Sequence, residues 1–554
     1  MMAWRHFTLV GFFLLASLGL VARVAYLNVT EGQFLIDQGE RRSIKSQEIA
    51  AHRGVIYDRF GEPLAVSTPV SAVYTNPRAG LLDPDSQAAL CATLELDCAQ
   101  LSRDLGRQAG QSFAYIQRGV AWEDVQRLKA LELPGVHFIK EYRRFYPAGE
   151  TTAHVVGITD IDDIGIEGIE KSFESSLQGE PGRRVVLKDR RGNVIKDLGS
   201  GQAARFGGDL TLSIDLRLQF LAYRELKAAV QSHRAASGSM VMLDVATGEI
   251  LAMVNQPAYN PNDALTSSRG MRNRAVTDLY EPGSTMKPFA VLAALESGKY
   301  GRDSIIDTSP GRLRVGRDTV KDTRNHGAIT METALQKSSQ VGIAKIALAL
   351  EERAVFELMM RGGVGEYLGT GLPGEVAGML TDKDLDKPIV RATLAYGYGL
   401  AVTPLQLADA YMTLALRGVR RPVSILRQEV APAGVRVYDE DLVAELVSMM
   451  EGVTGSKGTA PGAGVEGYRV SGKTGTIQKV GAGGYDDGRH AAWFAGMIPA
   501  TRPRIVTVIL IDEPQGDDYG GGVVAGPVYG RVMARAVHLL GIPPDDLQLA
   551  EASS

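Results

Sequence analysis

Ser284 and Lys287 stand three residues apart, after Glu281-Pro282-Gly283 and before the apolar run Phe289 to Leu295. Residues at this spacing share one face of a helix. A serine hydroxyl becomes a useful nucleophile when a base takes its proton, and a lysine amine can be that base once burial or a neighbouring cation lowers its pKa. The spacing therefore predicts a nucleophile and its base. A position at a helix start adds unpaired backbone N–H groups, which favour the negative charge that develops during attack on a carbonyl. Pro288 has no N–H to donate to the Ser284 carbonyl, which predicts a tight or irregular first turn. Taken alone, Ser-x-x-Lys also describes an ordinary solvated helix surface.

Two further clusters change that balance. Lys337-Ser338-Ser339-Gln340 begins its serine pair 54 residues after Ser284, and Ser471-Gly472-Lys473-Thr474-Gly475-Thr476 places Lys473 a further 135 residues on. The order Ser-x-x-Lys, Ser-x-amide, Lys-Thr-Gly resembles the three-part signature of penicillin-binding proteins and serine β-lactamases. The intervals are longer than a compact β-lactamase needs and resemble those of a transpeptidase domain. The resemblance implies that Ser284 attacks a D-alanyl-D-alanine stem peptide of peptidoglycan and passes the acyl group to an amine on a neighbouring strand. By the same resemblance Lys287 is the general base and Ser338 relays a proton to the leaving amine. Gln340 holds Lys287 and the substrate backbone, while Lys473 lowers the Lys287 pKa and attracts the substrate carboxylate. Thr474, Gly475 and Thr476 line the substrate site, the backbone N–H groups of Ser284 and Thr476 form the oxyanion hole, and β-lactams acylate Ser284 as substrate mimics. No cofactor and no metal is implied. One position departs from the family: asparagine is usual where this chain has Gln340, and no asparagine follows Asn325. Glutamine keeps the amide on a side chain one methylene longer, with more rotamer freedom to lose.

The elements that position these residues are legible in part. A chain of 554 residues with 45% hydrophobic and 22% charged residues can bury a large core in several domains, and a net charge of −4 argues against nucleic acid as a partner. Phe7 to Ala22 is uncharged, and if Arg23 snorkels the span extends over residues 7–27, long enough to cross a membrane. A cleaved signal peptide is the competing reading, disfavoured by the long apolar run and the lack of a clear cleavage site. A retained anchor leaves residues 1–6 as a cytoplasmic tail and puts the bulk of the chain outside the cytoplasm, in the periplasm. Cys91 and Cys98 can close a small loop between two short helices or remain two buried thiols. They do not cluster with histidines as metal ligands would.

Residues 28–207 are expected to form a mixed α/β module with few catalytic hints. Its blocks Arg53 to Ala65, Arg143 to Pro147 and Gly165 to Lys171 resemble the pedestal, or dimerisation-like, module of class B penicillin-binding proteins. Their Arg and Glu residues read as a structural ion-pair network. Residues 208–545 are expected to hold the transpeptidase domain, an α+β fold with a central antiparallel sheet flanked by helices, and residues 546–554 a flexible tail. Asp215 should cap a helix reaching about Gln231. Gly238 to Val254 should form a hairpin turning at Ala246-Thr247-Gly248. Thr403-Pro404-Leu405-Gln406 should form a capping box. Two strands, His490 to Gly496 and Ile505 to Ile511, should pair beside the Lys-Thr-Gly strand, and the glycines at 481, 483 and 484 suggest a flexible connection.

Four other functions compete with this reading. A class A β-lactamase needs a Glu-x-x-x-Asn loop, and no asparagine here has a glutamate four residues before it. A carboxypeptidase would use another route for water. A β-lactam sensor needs further membrane spans, and a relic scaffold would not be expected to keep Ser284, Lys287, Ser338 and Lys473. The partners implied are peptidoglycan stem peptides, β-lactams and a membrane-embedded glycan polymerase, in the bacterial inner membrane.

Overall fold

The computed structural model describes residues 2–80, 82–188, 194–263, 270–481 and 484–545. Helix α1, Met2–Val29, contains a stretch long and apolar enough to cross a membrane, Trp4–Val29, with its large side chains exposed. Its span is somewhat longer at both ends than residues 7–27. The expected tail at 546–554 lies outside the described residues, as do two residues of the glycine-rich connection near 483.

Packing divides the chain into two units, one of residues 1–54, 67–143 and 178–208 and one of residues 55–66, 144–177 and 209–554. In the first unit, strands Ile44–Ile49, Gly182–Lys188 and Val194–Gln202 form a small antiparallel sheet. Helices Pro84–Leu94 and Cys98–Arg107 are each started by an aspartate: Asp83 accepts from Ser86 N, and Asp97 accepts from Ala99 N and Gln100 N. A disulfide joins Cys91 to Cys98 across the turn between these helices, with 5.7 Å between the Cα atoms.

In the second unit, two stretches from within 28–207 pack with residues 209–554. The reason is apolar burial: Ile56, Leu64, Tyr146, Val156, Ile169 and Leu177 share one core with Leu212, Ile214 and Phe289. Arg144 and Glu170 form a buried pair at 2.6 Å, their side chains 1% and 0% exposed, as the sequence blocks suggested.

The second unit is built on a five-stranded antiparallel sheet of β1 (Ser237–Asp244), β2 (Ile250–Gln256), β3 (Ser471–Gly481), β4 (Gly484–Ile498) and β5 (Ile505–Asp512). Their order across the sheet is β2-β1-β5-β4-β3, so β3 is an edge strand. Ile505 to Ile511 therefore pairs with β4 and β1 and is one strand removed from β3. Asp244 accepts from Ala246 N and Thr247 N to fix the predicted hairpin turn. Every residue of β2 and β5 is buried, because helices cover both sheet faces. Helix α2 (Leu216–Ser232) carries Asp215 at its N-cap. Helix α3 (Lys287–Glu296) follows the Ser284 segment, α4 (Gln340–Ala349) follows the serine pair, and α5 (Pro404–Ala415) starts with the Thr403–Gln406 capping box.

Candidate active site

Ser284 lies in a 3-10 turn, Gly283–Met286, and α3 begins only at Lys287. The Lys287 N–H donates to the Ser284 carbonyl, an i to i+3 bond, which is how the chain accommodates Pro288 at the next position. Residues i and i+3 eclipse in such a turn, so Ser284 and Lys287 remain on one side. Ser284 is half-buried, whereas Lys287 is 0% exposed. The Tyr411 hydroxyl on α5 donates to the Thr285 carbonyl at 2.7 Å, pinning the turn from beneath.

Strand β3 passes directly over this turn. A Cβ at Gly475 would lie 2.9 Å from the Pro282 carbonyl oxygen and 3.0 Å from Thr285, so glycine in Lys-Thr-Gly is what lets the strand approach the Ser284 turn. Gly397 does the same from the other side, since its Cβ would fall 2.0 Å from the Gly283 carbonyl oxygen, and its own carbonyl accepts from Gly283 N at 3.0 Å. The Tyr396 to Gly399 segment is thus part of the wall of the Ser284 turn.

Ser338 brings the separate motifs together. Its Oγ accepts from Lys287 Nζ at 3.1 Å and from Lys473 Nζ at 3.0 Å, and its carbonyl also accepts from Lys287 Nζ. Ser338 has φ 58, a left-handed conformation that costs a non-glycine residue on the order of 1 kcal/mol or more. Burial first, and then the Lys473 charge, hold the Lys287 pKa well below its usual value, while Asp322 pulls the other way. Lys473 is also fully buried, and burial brings its pKa down to about 7. An amine in this range is available as a base near neutral pH.

Asp322 gave no signal in the sequence. Its carboxylate accepts from Ser339 Oγ at 2.6 Å, Gln340 N at 2.5 Å and Val341 N at 3.1 Å, while Ser339 Oγ accepts from Gly342 N as the N-cap of α4. It therefore fixes the turn that holds Ser338. Gln340 is the first residue of α4 and half-buried, and no hydrogen bond from its side-chain amide to Lys287 occurs among the described residues. The hydroxyl of Ser284 likewise has no hydrogen-bond partner among them. Thr474 Oγ1 lies 3.0 Å from Thr459 Oγ1, and Thr476 Oγ1 accepts from Gly521 N at 3.0 Å, which leaves the Thr476 hydroxyl proton free for a ligand.

A family model described as the penicillin binding protein transpeptidase domain matches residues 238–534. The chain belongs to the penicillin-binding proteins. A second family model, the penicillin-binding protein dimerisation domain, matches residues 48–212 and marks it as a class B member. The chain is 43% identical over 553 residues to the peptidoglycan D,D-transpeptidase FtsI of Escherichia coli, covering 98% of this chain and 93% of that protein. It is 41% identical over 531 residues to the probable peptidoglycan D,D-transpeptidase PenA of Neisseria meningitidis, covering 95% and 91% respectively. Among solved structures, a peptidoglycan synthetase from Bifidobacterium adolescentis superposes with a TM-score of 0.71 at 25% identity, over 91% of this penicillin-binding protein and 98% of that chain.

Proposed function

We propose that Ser284 is the acyl-carrying residue of a peptidoglycan D,D-transpeptidase that β-lactams acylate. The observation that carries this reading is the Ser338 hydroxyl, held between two buried lysines of lowered pKa beside the Ser284 turn.

Neutral Lys287 takes the proton of Ser284 as Oγ attacks the carbonyl of the penultimate D-alanine. The oxygen that becomes negative meets the backbone N–H groups of Ser284 and Thr476. The intermediate collapses by breaking the bond to the terminal D-alanine, whose nitrogen receives a proton through Ser338 Oγ. An amine of a second stem peptide then attacks the acyl-enzyme, and its proton leaves by the same groups. The Thr474 and Thr476 hydroxyls and Lys473 meet the substrate carboxylate, and the Gln340 amide meets its backbone. The outward N–H and C=O groups of β3 suit an extended peptide, because an edge strand has unpaired groups along one side.

Helix α1 is read as a single membrane anchor that places the catalytic unit on the outer side of the inner membrane, after a short cytoplasmic tail. Residues 28–207 serve as the pedestal, and glycan strands come from a separate membrane-embedded polymerase. Fluorescent penicillin on a gel tests the reading. Stable stoichiometric labelling that Ser284→Ala abolishes supports it, and labelling that survives Ser284→Ala refutes it. Rapid loss of label to water would indicate a hydrolase instead.

A further inference from the structure

Strands Arg312–Val315 and Asp318–Lys321 pair as an antiparallel hairpin, with Gly316 at φ 63 in a two-residue turn. Alternation along the strands divides their residues between two faces. Leu313, Val315 and Val320 share a core with Val341 and Ala344 of α4 and with Tyr396. The other face carries Arg312, Arg314, Thr319 and Lys321, all exposed. Arg317 at the turn and Arg324 just past the second strand are exposed as well, so cations crowd this short stretch of a chain whose net charge is −4.

Among the described residues none of Arg312, Arg314, Arg317, Lys321 and Arg324 lies within salt-bridge distance of a carboxylate, and Arg314 donates to the Gly316 carbonyl at 3.2 Å. The nearest acids in the chain are turned elsewhere. The register sets Asp318 opposite Val315, on the side of the apolar residues, and the Asp322 carboxylate is taken by Ser339, Gln340 and Val341. Arg312 stands directly opposite Lys321, and like charges so placed weaken a strand pair. A cationic face under its own repulsion, fixed from behind by apolar packing, is complementary to a row of anions. Bound carboxylates would remove the repulsion and add charge-assisted hydrogen bonds.

The place of the hairpin selects which anions these are. Lys321 is followed by Asp322, which holds the Ser338 turn, and the inner face rests on α4, the helix that Gln340 begins. The cationic face is therefore mounted on the same helix as the site at which stem peptides react, and those peptides bring free carboxylates along the polymer that bears them. We propose that the outer face of this hairpin binds carboxylates of the peptidoglycan strand that is being cross-linked. The inference rests on the transpeptidase reading and deepens it, since it extends recognition from the reacting D-alanyl-D-alanine end to the polymer.

The test places the full chain in phosphatidylcholine nanodiscs, treats it with benzylpenicillin so that the Ser284 site is filled, and sediments it with purified insoluble peptidoglycan. One portion of the polymer is native, and in the other the carboxylates are converted to methylamides. The full chain should bind the native polymer about tenfold or more tightly than the amidated one at low ionic strength, and the difference should shrink as salt screens it, because exposed ion pairs are individually weak and several must act together. The triple change Arg312→Gln, Arg314→Gln and Lys321→Gln should abolish the difference. Arg312→Lys with Arg314→Lys should keep most of it, which a merely structural role of the hairpin would not allow. Because it removes the repulsion, the triple change should leave the urea unfolding midpoint the same or higher. Equal binding of native and amidated polymer by the full chain, or a preference that survives the triple change, overturns the proposal. So does a triple variant that keeps its preference for native polymer and loses flotation with phosphatidylglycerol vesicles, which would make the face a lipid site. Benzylpenicillin labelling of the same samples separates a failed polymer surface from a failed transpeptidase reading.

Discussion

Replacing Lys473 by methionine removes one charge from the centre of the site and keeps most of the side-chain volume. Lys287 Nζ and Lys473 Nζ both bond to Ser338 Oγ, at 3.1 and 3.0 Å, so the two nitrogens lie no more than about 6 Å apart. At that distance and an effective dielectric of about 20, two unit charges repel by about 2.8 kcal/mol, which corresponds to about 2 in pKa. Lys473 has its pKa at about 7, so it is cationic on the acid side of neutrality, where its repulsion keeps Lys287 from holding a proton. The sign follows: in Lys473→Met the Lys287 ammonium is no longer repelled, its pKa rises, and acylation needs a higher pH. The acid limb of the second-order acylation rate with benzylpenicillin, followed by stopped flow, should move up by one to two pH units, as an apparent value for the pair. The maximal rate should also fall, because the substrate carboxylate loses a partner. An acid limb that stays in place or moves to lower pH, in a protein with an unchanged unfolding midpoint, would refute the electrostatic coupling.

Asp322→Asn should act on the same limb with the opposite sign, because Asp322 raises the Lys287 pKa. Its removal should move the limb to lower pH while slowing acylation about tenfold or more through loosening of the Ser338 turn, given about 1.5–3 kcal/mol for hydrogen bonds to a charged group. An unchanged rate would show that the Ser338 turn does not need the carboxylate. On the proposed reading of its amide, Gln340→Ala should slow acylation about tenfold, with Gln340→Asn in between because its reach is shorter. Equal rates for all three proteins would mean that the amide has no catalytic part. Arg144→Met removes the buried ion pair to Glu170 and should lower the unfolding free energy by about 3–5 kcal/mol in urea titration, whereas Arg144→Met with Glu170→Leu should recover most of it. A neutral single variant would show that the pair is structurally dispensable.

The sequence by itself determined the parts whose physics is local. Ser284 and Lys287 share a face because three residues make about one turn. Pro288 dictated the tight turn before α3, and Asp215 and the Thr403–Gln406 box started their helices where an oxygen could meet unpaired N–H groups. The apolar run of α1 was visible because composition alone makes a stretch suited to a bilayer. The family resemblance supplied the expectation that three distant motifs meet, but no local rule could bring Lys473 to Ser338 across 135 residues. That meeting depends on the order β2-β1-β5-β4-β3, which is set by burying both faces of the sheet and leaves β3 at the edge over the Ser284 turn. Asp322 was silent in sequence for the same reason. An isolated aspartate in a polar loop carries no pattern, and its hydrogen bonds arise only where the loop meets the start of α4.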